Sequence, residues 1–125
     1  MGYCISVLKN ESVIVCNHRG TIEPDELGAA WQAILNKAEF SELDYNLLTD
    51  IRETTITSSE EELLSMLDFL NSFRSILTGK RLALIADTPQ ATALSMLFEY
   101  RIPNDLGMLT KTFSTPEAAL RFVKK

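Results

Sequence analysis

The residues of this chain best equipped for chemistry stand where apolar runs end. His18 and Arg19 follow Val13-Ile14-Val15, Asp50 and Arg52 follow Leu47-Leu48, and Asp87 and Thr88 follow Leu82-Ala83-Leu84-Ile85-Ala86. An imidazole that titrates near neutrality, guanidinium groups that grip carboxylates, and carboxylates that take up protons would, in one cleft, bind a small anion or perform general acid-base work. The same residues also have plain structural readings. Asp50 and Asp87 can satisfy backbone donors at strand-to-helix turns, and His18 can be an ordinary strand-end residue. No Gly-x-Ser-x-Gly elbow, Gly-rich dinucleotide loop or His-Glu-x-x-His pair accompanies them, and Gly79-Lys80 lacks the upstream glycine of a phosphate loop. The expectation is therefore a protein that is not an enzyme.

Those residues come together only if the apolar runs form one sheet. Each run is rich in β-branched or aliphatic residues and gives way to a polar capping residue and then to helical periodicity, with Ser114-Thr115-Pro116 repeating the pattern after Phe113. Strands that alternate with helices predict an α/β fold: a single mixed, mostly parallel sheet of about five strands, with an N-terminal β-hairpin and about four main helices. In such a sheet the strand ends and helix N-termini collect along one rim, which is where a site is expected.

The hairpin joins residues 3–8 to the strand through His18, with its turn near Asn10-Glu11. A two-residue loop there sets Cys4 opposite Asn17 and Cys16 opposite Ile5, so the thiols point to different faces and no disulfide is expected. With a single histidine and no Cys-x-x-Cys spacing, neither a metal site nor a cofactor is expected. Met1-Gly2-Tyr3-Cys4-Ile5-Ser6 fits the minimal acylation pattern, but the same residues alternate as a strand.

Pro24-Asp25-Glu26 opens a helix to about residue 37, with Leu27, Ala30, Trp31, Ile34, Leu35 and Ala38 on its apolar face. Ser59 and Glu62 have capping-box spacing, and three acids follow Ser59, which predicts a helix over 60–78 that stops at Gly79. Its stripe of Leu63, Met66, Leu70, Phe73 and Leu77 is flanked by Leu64, Leu67, Phe69 and Ile76, an apolar arc wider than one sheet contact covers. A homodimer through Phe69 and Ile76 is the expected partner contact. The run 82–86 is the most hydrophobic strand and is assigned to the middle of the sheet. Thr88-Pro89 starts a helix that Ile102-Pro103 should stop, 108–113 is the last strand, and Thr115-Pro116-Glu117 caps a terminal helix.

A chain of 125 residues with 46% hydrophobic and 23% charged content fits one domain over 1–125. The net charge of -5, with scattered basic residues, argues against nucleic acid and anionic membranes as partners. No apolar stretch reaches the roughly 20 residues that span a bilayer, so a cytoplasmic protein is expected.

The order strand, strand, helix, strand, helix, strand, helix, strand, helix resembles the STAS fold of bacterial anti-sigma-factor antagonists, in particular the SpoIIAA-like group. The likeness rests on Gly20-Thr21, on Leu47-Leu48-Thr49-Asp50, on Lys80-Arg81 with the run through Asp87, and on the stretch from Thr112 to Leu120. It implies a non-enzymatic regulatory or protein-interaction module with another protein as partner. In that family an Asp-Ser-Ser-Gly motif opens a helix, and its second serine is phosphorylated to release the partner. The matching residues here are Thr57-Ser58-Ser59-Glu60, so the phosphoacceptor role falls on Ser59 and the Ser58-Ser59 helix start is the surface presented to a partner, with threonine for the acid and glutamate for the glycine. Lipid-binding relatives of SEC14-like arrangement imply the alternative, a carrier or sensor of a small apolar or anionic ligand.

Overall fold

The computed structural model describes residues 2–125; Met1 of the acylation pattern lies outside them. Strands β1 (Tyr3–Leu8) and β2 (Val13–His18) form the antiparallel hairpin, in which Cys4 faces Asn17 and Cys16 faces Ile5. Cys4 is exposed, Cys16 is buried, and both are free. The chain continues through β3 (Gly20–Ile22), α1 (Pro24–Leu35), the single turn α2 (Ala38–Ser41), β4 (Asn46–Asp50) and β5 (Thr54–Ile56). Helices α3 (Glu60–Asn71) and α4 (Arg74–Leu77), strand β6 (Arg81–Ile85), α5 (Pro89–Leu106), β7 (Leu109–Phe113) and α6 (Pro116–Val123) complete it.

The main sheet has the order β1-β2-β4-β6-β7, parallel from β2 onward. This is the mixed, mostly parallel sheet with an N-terminal hairpin that the alternation predicts. The middle position belongs to β4, however, and not to the more hydrophobic β6. Both are interior strands buried on two faces, so hydrophobicity alone does not order them. Alternate residues define the layers. Ile14, Cys16, Leu47, Leu82 and Leu84 pack with α1, α3 and α5 on one face. Val13, Leu48, Ala83 and Ile85 pack with Ala119 and Val123 of α6 on the other. The segment between β4 and α3 contains β5, which pairs in parallel with β3 as a second small sheet.

Helix boundaries depart from the expected ones where backbone bonding intervenes. The first helix ends at Leu35, and the chain re-enters α2 to bury Phe40 completely. The expected helix over 60–78 is broken. The N–H groups of Ser72 and Phe73 donate to the carbonyls of Phe69 and Leu70, a tighter three-residue turn, and Phe73 leaves helical geometry at φ -111°. The break turns Phe73 and Ile76 against the core, and the buried stripe of α3 is Leu63, Leu67 and Leu70, without Met66. Phe69 stays 39% exposed.

Pro103 does not stop α5, which runs on to Leu106. A proline one turn from the end leaves few backbone bonds to break, and the Asn104 side chain donates to the Tyr100 carbonyl at 2.6 Å. Termination falls to Gly107, at φ 73°, whose carbonyl accepts from Gly79 N at 2.9 Å. A Cβ at Gly107 would lie 3.0 Å from the Thr78 hydroxyl, so both the left-handed turn and the close approach call for glycine.

At the N-terminal ends of the parallel strands the polar groups are fully engaged. Buried Asn46 donates to the Val123 carbonyl at 2.7 Å and accepts from Arg81 N at 2.8 Å, joining β4, β6 and α6. The Lys80 side chain, 2% exposed, reaches Asp44 at 3.1 Å and lies 4.5 Å over the Phe40 ring. Burial pushes the Lys80 amine below its ordinary range, against the pull of Asp44. Hydrogen bonds from Lys125 and Lys80 hold the Asp44 carboxyl below its own.

Two expectations follow for stability. Ser59 accepts from Glu62 N at 3.1 Å while Glu62 accepts from Ser59 N at 2.8 Å, a complete capping box. Ser59→Ala should therefore lower the unfolding free energy by about 1 kcal/mol, and Ser59→Asp, itself a good cap, by much less. The Lys80 amine sheds its proton at lower pH in the folded chain than in the unfolded one. Its burial penalty is thus present at neutral pH and relieved as pH rises toward 10.5. Urea unfolding of wild type against Lys80→Met should move in favour of wild type between about pH 7 and 10. A difference that stays flat over that range would contradict a destabilised buried ammonium.

Candidate functional site

The register of the parallel strands determines what the C-terminal rim presents. Asn17 of β2 is aligned with Asp50 of β4, and Asp50 with Ile85 of β6. Arg19, Arg52 and Asp87 each lie two residues beyond that row, so three charged side chains succeed one another across adjacent strand ends. With Asn17, His18, Gly20, Asp50 and Glu53 they line a polar cleft of about 460 Å³. That size falls within the about 300–1,000 Å³ common for small-molecule sites.

Local backbone structure gives the cleft its walls. Gly20 at φ 67° turns the chain from β2 into β3, and Arg19 N donates to the Gly2 carbonyl at 2.7 Å. Glu53 takes φ 56°, a left-handed conformation that costs a residue with a Cβ about 1–2 kcal/mol. It is held there by its N–H, which donates to Asp87 Oδ1 at 3.1 Å across the rim. The Gln90 side chain brackets Ile56, donating to its carbonyl at 3.0 Å and accepting from its N–H at 3.3 Å, and so ties β5 to α5. Thr88 has turned away from this work: its hydroxyl caps α5 by accepting from Ala91 N at 3.1 Å.

The charges in the cleft are unequally engaged. Arg52 donates through Nε and Nη2 to both carboxylate oxygens of Asp50, at 2.7 to 3.2 Å, and that pairing raises the guanidinium above its ordinary range. Arg19 and Glu53 are exposed and have no ion-pair partner among the described residues.

His18 lines the cleft but is 4% exposed, with Nδ1 2.6 Å from Glu26 Oε2 and Nε2 3.5 Å from Cys16 Sγ. A carboxylate only accepts, so Nδ1 carries a hydrogen toward Glu26, and Nε2 lies against the Cys16 thiol. Burial, reinforced by the charge of Glu26, pushes the Cys16 thiol up to about 12. It remains protonated at neutral pH and is no nucleophile there. Below His18 lies an apolar cavity of about 40 Å³ lined in part by Cys16, Trp31, Thr49 and Phe98. This is an order of magnitude smaller than an ordinary ligand pocket of about 300 Å³ or more.

Of the residues singled out from the sequence, His18, Arg19, Asp50, Arg52 and Asp87 line the same cleft, and Thr88 does not. Ser58 and Ser59 stand at the start of α3, Ser59 exposed and engaged as its cap. Phe69 and Ile76 are separated onto α3 and α4 by the break between them. Sequence reasoning missed Glu26, Glu53 and Cys16. Glu26 was legible only as an acid of a helix first turn, and its partnership with His18 depends on how α1 docks against β2. Among the described residues no three His, Cys, Asp or Glu side chains converge as a metal site, and no helix is long and apolar enough to cross a membrane.

No family model matches the chain, and no curated protein matches it. A solved structure does. The chain is similar to an uncharacterized protein of the DUF3478 family from Shewanella loihica PV-4, described as having a SpoIIAA-like fold. The TM-score is 0.65 at 15% identity, over 98% of this chain and 94% of that one. At that identity the likeness concerns architecture, and the architecture of this chain is the SpoIIAA-like fold.

Proposed function

We propose that this protein is a non-enzymatic binding module that takes a small charged ligand in the cleft at the C-terminal ends of β2, β4 and β6. The observation that carries the reading is the cleft itself: about 460 Å³ of polar space, with Arg19 and Glu53 exposed in it and unpaired among the described residues. The neutral Cys16 thiol beside His18 supports binding over catalysis. A large apolar ligand is disfavoured, since the cavity of about 40 Å³ under His18 has no room for an acyl chain.

A second reading, an interaction module that pairs with its own copy, is supported by Phe69. It is 39% exposed on α3 and packs on Phe73 at 5.3 Å. Ser58 and Ser59 lie at the other end of the same helix, with the Ser59 hydroxyl accessible. A phosphate there would gain from the helix dipole and lose to Glu60, Glu61 and Glu62.

A thermal-shift screen of small phosphates, carboxylates, amines and amino acids tests the first reading. A ligand at ten times its Kd contributes about 1.4 kcal/mol, or about 5 °C in Tm for a chain of this size. Arg19→Ala should remove that shift, and a screen without any stabiliser would end the reading. For the second, analytical ultracentrifugation across micromolar concentrations should find a dimer that Phe69→Glu dissociates. A monomer throughout, or a dimer indifferent to the new charge, would exclude this surface.

A further inference from the structure

Charge along the rim has a direction. Asn17, Asp50 and Ile85 are aligned on β2, β4 and β6, and two residues beyond them come Arg19, Arg52 and Asp87 in the same order. The middle member is paired, because both Asp50 oxygens bind Nε and Nη2 of Arg52, at 2.7 to 3.2 Å, so the two charges cancel as a pair, although the guanidinium also feels the charges of Asp87 and Glu53. The outer members are available. Arg19, at the β2 end, has no ion pair among the described residues. At the β6 end Asp87 gives one oxygen to Glu53 N at 3.1 Å, which brings the Glu53 backbone beside it. One side of the cleft is therefore cationic and the other anionic. Two strand spacings, about 10 Å at the backbone, separate them, less the inward reach of the side chains.

A simple anion attracted to Arg19 would lie in the field of Asp87 and Glu53, and a simple cation near Asp87 would lie in the field of Arg19. Either ligand loses on one side what it gains on the other. We infer that the cleft is built for a zwitterion, a small molecule with its anionic group at Arg19 and its ammonium at Asp87 and Glu53, the neutral Asp50–Arg52 pair lying beneath its middle. This rests on the ligand-binding reading above and specifies the ligand class.

The test is a nuclear magnetic resonance titration of the full chain at low ionic strength with 5-aminopentanoate, pentanoate and pentylamine, following the backbone amides of Arg19, Gly20 and Glu53. The zwitterion should bind roughly ten-fold tighter than either singly charged analogue, the counterpart of one charge-assisted contact. Arg19→Ala should reduce it to the affinity of pentylamine. Asp87→Asn, which keeps the acceptor for Glu53 N, should reduce it to that of pentanoate. If pentanoate or pentylamine binds as tightly as 5-aminopentanoate, the inference falls while the cleft remains a ligand site. If none of the three moves those amides, the inference also falls, and the broader thermal-shift screen decides separately whether the cleft binds anything.

Discussion

A strand followed in its sheet by a parallel neighbour has to send the chain back across one face before that neighbour can begin, and with L-amino acids the crossing is right-handed. From β2 to β4, β4 to β6 and β6 to β7 the chain does this while always advancing in one direction across the sheet. Repeating the same handed crossing keeps α1, α3 and α5 on one face, where their apolar residues share one core. It leaves the opposite face to α6. It also delivers the C-terminal ends of β2, β4 and β6 to a common edge, and the alignment of Asn17, Asp50 and Ile85 is what lets distant sequence positions share a cleft.

The two edges of this sheet use polar groups in opposite ways. At the N-terminal edge Asn46 bridges β6 and α6, and the Lys80 ammonium is folded under Asp44, Tyr45 and Phe40, so polar atoms serve to lock elements together. Burying such groups is tolerable only because each finds a partner. At the C-terminal edge the locking is confined to a few contacts, Arg52 to Asp50, Asp87 to Glu53, Gln90 to Ile56 and Glu26 to His18. The remaining charges face an open cleft. An edge that is braced from below yet keeps unengaged charge above suits binding, since the groups are positioned before a ligand arrives.

The break between α3 and α4 shows how backbone bonding overrules periodicity. A continuous helix over 60–78 would carry Phe69 and Ile76 on one exposed arc. Tightened bonds at Ser72 and Phe73 turn the following residues inward, and most of that apolar excess is absorbed by the chain's own core. Pro103 makes the converse point. A residue that ordinarily ends a helix is carried within α5 because the end is only a turn away and Gly107 supplies the stop.

Sequence alone determined whatever depends on neighbours along the chain. The hairpin register, the capping box at Ser59 and the proline-led starts of α1, α5 and α6 are short-range geometry, and the alternation of strands with helices limits topology to the mostly parallel arrangement observed. The gathering of His18, Arg19, Asp50, Arg52 and Asp87 at one rim was legible for the same reason, because strand ends in such sheets converge. Tertiary structure decided which partner each of these groups takes. Nothing within the chain's local spacing pairs Glu26 with His18, draws Asp87 to the Glu53 backbone or buries Lys80 over Phe40. Those pairings join segments whose separation is closed only when strands pair and helices dock on the sheet, and side-chain reach of a few ångströms then selects the partner.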